Sequence, residues 1–115
     1  MSNQKVRDYF KNLYLVAAAD FKLASEETSF LVQVAQQMGL GPLEASEIMR
    51  QPPSSLTVPA SESEKMAQLE DIVVMMMVDR KIHEKEYQLC LRFAEAIGQD
   101  KATLDYLIIK IIRGK

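Results

Sequence analysis

A chain of 115 residues, 48% apolar and 26% charged, has the size and balance of one globular domain able to bury a core without disulfides. Its 14 Lys and Arg against 16 Asp and Glu leave a formal charge of -2, which excludes broad electrostatic attraction to nucleic acid or to an anionic surface. The longest strongly apolar runs, at 13–19 and 72–78, are far shorter than the ~20 residues that span a bilayer, so membrane insertion is not expected either.

Apolar residues recur at helical spacing through most of the chain, while Gly and Pro fall between the periodic segments, which predicts six helices and no strands. The first covers about 4–19, with Val6, Tyr9, Phe10, Leu13, Tyr14 and Ala17 in one stripe. The second runs over about 25–38 and is stopped by Gly39, a residue suited to the left-handed turn after a helix. Pro42 fits the first position of a short third helix, which must end before Pro52 and Pro53. With Pro59 as well, residues 51–60 read as an exposed, extended linker. Ser61 and Glu64 form a Ser-x-x-Glu capping box at the start of the fourth helix. The fifth is expected over about 84–97, ended by Gly98, and the sixth from the cap Asp100 to about 113.

The two halves repeat. Asp79, Lys81, Glu86, Ala94 and Gly98 each lie 59 residues after Asp20, Lys22, Glu27, Ala35 and Gly39, more identities than the roughly one expected by chance in so short a window. The apolar pattern follows the same offset: Phe30, Leu31, Val34, Ala35 and Met38 fall on Leu89, Cys90, Phe93, Ala94 and Ile97, and Phe10, Leu13, Tyr14 and Ala17 on Leu69, Ile72, Val73 and Met76. The expected fold is all-α: one domain over 1–115, a six-helix bundle of two helix-turn-helix repeats (about 8–50 and 67–109) related by an approximate internal two-fold across the linker 51–60. Ala17 to Ala19 and Met75 to Met77 point around their helices at ~100° per residue, so both helix ends are expected in the bundle centre, the methionines filling irregular space; a promiscuous binding groove is the other use of such a run.

The feature least explained by packing is the turn after each central helix, where Asp20 precedes Glu27 and Asp79 precedes Glu86 by the same seven residues. An aspartate at a helix carboxyl end opposes the helix dipole and calls for a local partner: free amides of the next helix, the neighbouring lysine, or a divalent cation such as calcium or magnesium. In the capping reading the aspartates bond turn amides while Glu27 and Glu86 occupy favourable first-turn positions. In the metal reading the four carboxylates converge. The loops are not EF-hands, since Lys22 stands at the third place and Ser25 at the sixth, where that motif needs an oxygen ligand and a glycine.

An apolar helix, Ala18-Ala19-Asp20, then Lys22-Leu23, Glu27 and a second apolar helix closed by Gly39, followed by a copy with Val78-Asp79, Lys81-Ile82 and Glu86, resembles the tellurite resistance TerB-like family over roughly residues 8–110. The resemblance implies an all-helical bundle in bacterial cytoplasm, linked with tellurite resistance and stress responses, and acidic residues proposed to bind divalent cations; the matching positions are Asp20, Glu27, Asp79 and Glu86. The family usually carries glycine directly after each aspartate, where this chain has Phe21 and Arg80, and Arg80 sets a competing positive charge beside Asp79.

Cys90, the sole cysteine, and His83 share a helical face, but seven rises of ~1.5 Å set their backbones about 10 Å apart, too far for a thiol and its base. Cys90 is expected in the core and His83 in solvent at the turn. The end of the chain, Ile108 to Lys115, is either a core helix with cations favoured by its dipole or a docking stripe. One unpaired cysteine and the absence of an apolar secretory stretch over 1–5 fit a reducing cytoplasm. The expected function is a non-enzymatic interaction or stress-associated adaptor with an unidentified protein partner; the alternatives are a divalent-cation sensor acting through the acidic turns, and an enzyme with a carboxylate metal site. No catalytic constellation and no cofactor motif is present in the sequence.

Overall fold

A computed structural model describes residues 3–20, 25–52, 54–56, 58–77 and 81–114, apart from the side chains of residues 3, 20 and 25–27. Among the described residues there are six α-helices and no strand: α1 (Asn3–Asp20), α2 (Ser25–Gln37), α3 (Pro42–Arg50), α4 (Glu62–Met76), α5 (Glu84–Ala96) and α6 (Lys101–Arg113). The chain divides into two compact units, Met1–Thr57 with α1 to α3 and Val58–Lys115 with α4 to α6. The division falls inside the proline-containing segment 51–60, whose described residues are exposed or half-buried and form no helix or strand.

Local chemistry sets each boundary. Gly39 and Gly98 adopt φ of 94 and 87, backbone that a side chain resists, and so reverse the chain after α2 and α5. The same two-bond closure follows each time. Gly39 and Leu40 donate to the carbonyls of Gln36 and Ala35 at 3.0 and 2.9 Å, and Gly98 and Gln99 to those of Glu95 and Ala94 at 3.1 and 2.8 Å. Both are Schellman closures, which satisfy carbonyls left over at a helix end. Pro42 opens α3 where its missing N–H costs nothing. Ser61 Oγ accepts the Glu64 N–H at 3.2 Å to start α4, and Asp100 Oδ1 accepts the Thr103 N–H at 3.0 Å to start α6. The start of α6 stands 59 residues after that of α3, 101 against 42, and the ends of α5 and α2 keep the same interval, 96 against 37.

In the first unit the buried residues are Val6, Tyr9, Phe10, Leu13, Val16 and Ala17 of α1, Leu31, Val34, Ala35 and Met38 in and just after α2, and Ala45 and Ile48 of α3, and α2 packs on α3. Asn12 is buried as well, whereas Tyr14 is only half-buried. At ~100° per residue, Asn12 and Val16 lie on one side of Leu13 and Tyr14 on the other, so the covered arc is rotated toward Asn12 relative to the apolar stripe. In the second unit α4, α5 and α6 all pack on one another. Leu69, Ile72, Val73 and Met76 of α4 are buried there with Leu89, Cys90, Phe93 and Ala94 of α5, Ile97 behind it, and Leu104 and Leu107 of α6. The methionine run ends with Met76 and Met77 buried and Met75 half-buried, as space-filling side chains would be, while Ala18 and Ala19 are exposed.

Candidate functional site

Of the four carboxylates singled out from the sequence, Glu86 is the one whose side chain is described. Asp20 is the last residue of α1 and Glu27 belongs to the first turn of α2, with both side chains outside the described set, and Asp79 lies outside the described residues. Glu86 sits in the first turn of α5, where the helix dipole favours a negative charge, and is only 6% exposed. Its Oε1 accepts the His83 N–H at 3.2 Å, so the carboxylate reaches back to the residue that starts its own helix. This is a capping role. Among the described residues no group of three or more His, Cys, Asp or Glu is arranged to hold a metal ion.

His83 is the exposed residue that caps α5, and Cys90 is fully buried one turn beyond Glu86. Burial pushes the Cys90 thiol up to about 12, with the Glu86 carboxylate adding to the effect, so the thiolate that a nucleophile requires does not form near neutral pH. A polar clasp ties α5 to α6 at the surface. Tyr87 donates its hydroxyl to Asp105 Oδ1 at 2.7 Å, Lys101 Nζ reaches Asp105 Oδ2 at 2.7 Å, and the same ammonium lies 5.6 Å from the Tyr87 ring centre. Asp105 is held below the usual carboxylate range by the hydrogen bond from Lys101 and then by that from Tyr87.

Two surfaces stand out from the rest. One is the outer edge of α6, where Tyr106, Ile109 and Ile112 are 61%, 49% and 47% exposed while Leu104 and Leu107 face the core. The other is a cleft of about 520 Å³ in the first unit, lined by Arg7 and Lys11 of α1, by Glu47, Ile48 and Arg50 of α3, and by Gln51. Glu44 positions its nearer wall: Oε2 takes the Arg7 guanidinium at 3.0 Å while Oε1 accepts the Gly41 N–H at 3.3 Å at the start of α3. Sequence reasoning missed this cleft. Arg7 and Lys11 sit one turn apart on the polar side of α1, a visible signal, but their meeting with the end of α3 is a matter of packing.

No family model, curated protein or solved structure matches the chain.

Proposed function

We propose that this chain is a non-enzymatic interaction adaptor of the TerB-like type, two helix-turn-helix repeats related by an approximate internal two-fold in one bundle, acting in the cytoplasm through contact with a protein partner. The apolar edge of α6 carries the reading. Three large apolar side chains at successive turns stay in water although Leu104 and Leu107 already satisfy the core. Covering such a row with a partner removes apolar area from water at roughly 25 cal/mol per Å², which makes it a docking face. The 59-residue spacing of the α3 and α6 starts and the paired glycine closures support the repeat. The test compares what co-purifies from native cells with the wild type and with a Tyr106→Lys, Ile109→Lys variant that keeps its helical spectrum. A partner retained by the wild type and lost from the variant is the expected result; an identical set from both removes the proposal.

Glu86 gives a second reading its footing. A carboxylate this buried, seven residues after Asp79, supports a divalent cation as a tuning ligand, with Asp20 and Glu27 as the matching pair in the first unit. An ion that binds only the folded state adds about 2.7 kcal/mol at a hundredfold excess over Kd, several degrees of Tm in a domain this size. Melting curves in calcium, magnesium and manganese, on wild type and on Asp20→Asn, Asp79→Asn, separate the roles. Capping predicts a lower Tm for the variant in every buffer and no ion-specific shift. An upward shift confined to wild type establishes the cation.

A further inference from the structure

The cleft between α1 and the end of α3 is distinct in chemistry from the α6 edge and takes no part in the reading above. Arg7 is committed to Glu44 on its inner side, whereas Lys11 and Arg50 enter no ion pair with another described residue. Cations lining one concave space repel one another, and an anion placed between them relieves that repulsion. The opposite character is present among the same lining residues, in the acid Glu47 and the amide Gln51, both able to accept hydrogen bonds. An occupant that satisfies both must bring carboxylates for Arg7, Lys11 and Arg50 and N–H donors for the acceptors.

We propose that this cleft binds an acidic peptide segment of a partner protein, its Asp or Glu side chains on Lys11, Arg50 and the open side of Arg7 and its backbone amides toward Glu47 and Gln51. Charge complementarity selects this occupant over other anions. A nucleotide or nucleic-acid phosphate brings no N–H donor of its own for Glu47 and Gln51, as a peptide backbone does, and no aromatic side chain among the described residues lines the cleft to stack a base. A free phosphate ion fills a small part of a cleft of about 520 Å³, whereas several residues of extended chain occupy it.

The experiment is fluorescence anisotropy of a labelled oligo-glutamate peptide titrated with the full chain, with labelled oligo-uridylate and inorganic phosphate as competing probes. Glutamate peptide binding that weakens steeply with salt, and that drops by about tenfold or more in Lys11→Glu, Arg50→Glu, is the expected result. The control is Lys85→Glu, Arg92→Glu, an equal change of net charge on exposed positions of α5, which keeps wild-type affinity apart from a small general effect. Lys11→Gln alone, an exchange that leaves α1 intact, gives an intermediate loss and stands in if the double reversal does not fold. Equal losses from cleft and control variants, or no peptide binding at low salt, overturn the proposal. So does oligo-uridylate or phosphate that displaces the peptide more strongly than unlabelled peptide does.

Discussion

The first and second units end α2 and α5, and start α3 and α6, at the same 59-residue interval, yet they expose opposite chemistry where α1 and α3, or α4 and α6, come to the surface. Lys11, Glu47, Arg50 and Gln51 of the first unit correspond by that offset to Glu70, Tyr106, Ile109 and Lys110 of the second. A charged, open cleft in one unit therefore stands at the positions of an apolar edge in the other. There Glu70 and Lys110 close on each other at 3.3 Å. Core positions that supply apolar volume in both units change mainly in size, Val34 to Phe93 or Leu31 to Cys90, although buried Tyr9 corresponds to buried Gln68, whereas exposed positions carry no packing demand and are free to diverge in charge.

The largest effect tests the shared core. Val34 and Phe93 are both fully buried at matching positions, and truncation leaves a cavity in proportion to what is removed. Phe93→Ala is expected to cost ~3–5 kcal/mol and Val34→Ala about 2, read from urea unfolding midpoints at constant slope. Equal costs at the two sites would break the correspondence of size and burial. Cys90→Ala follows at about 1–2 kcal/mol, with native thiol labelling many times slower than in denaturant. The thiol's folded value is raised from 9.0 to about 12, so the unfolded state loses its proton first. Stability from this group is full below pH 9.0 and falls as pH climbs toward about 12, and Cys90→Ala removes that slope.

Glu86→Ala is expected to cost about 1–2 kcal/mol by leaving the His83 amide without its acceptor, while Glu86→Gln keeps an oxygen there and recovers most of the loss in thermal melts. Full recovery by Gln in every metal buffer sharpens the capping role; a deficit that appears only with a divalent ion present points to the charge. Tyr87→Phe removes the bond to Asp105 for about 1 kcal/mol. Because Lys101 and then Tyr87 hold the Asp105 carboxyl low, its contribution is present above the ordinary aspartate range and is lost as pH falls through it. The acid limb of a Tm–pH profile should flatten in Lys101→Met.

Helix number, the starts at Pro42, Ser61 and Asp100 and the glycine stops were legible in the sequence because each rests on one or two neighbouring residues. Cys90 in the core was legible too, from the periodicity that set it beside Phe93 and Ala94. The burial of Asn12 was not. An amide reads as polar whatever covers it, and the arc that packs on α1 is chosen by its neighbours in space. The α1–α3 cleft was hidden for a related reason: Arg7 and Arg50 are far apart along the chain, and Glu44, which ties Arg7 to the start of α3, reads locally as a first-turn acid. Of the acidic turns, the sequence placed Glu86 at the head of a helix, but its reach back to the His83 amide depends on a backbone turn that spacing alone does not specify.

The smallest expected effect bears most directly on how the two surfaces diverged. Lys110 and Glu70 are each more than a third exposed, so their pair gains little against water and the ordering of two long side chains. Lys110→Gln installs the residue that the first unit carries at the corresponding position, Gln51, and is expected to cost no more than about 0.5 kcal/mol, vanishing in high salt. Its informative readout is binding. Removing the cation leaves the Glu70 charge unbalanced, so an acidic peptide gains nothing there, and affinity for oligo-glutamate stays at the wild-type value. The reverse exchange, Gln51→Lys, gives up one neutral acceptor for the peptide backbone but adds a cation to a cleft already lined by Arg7, Lys11 and Arg50. Since the added charge outweighs one neutral bond at low salt, it is expected to tighten the same peptide severalfold. Tightening by Lys110→Gln, or no response to Gln51→Lys, would show that the difference between the units lies elsewhere than in the charges at these matched positions.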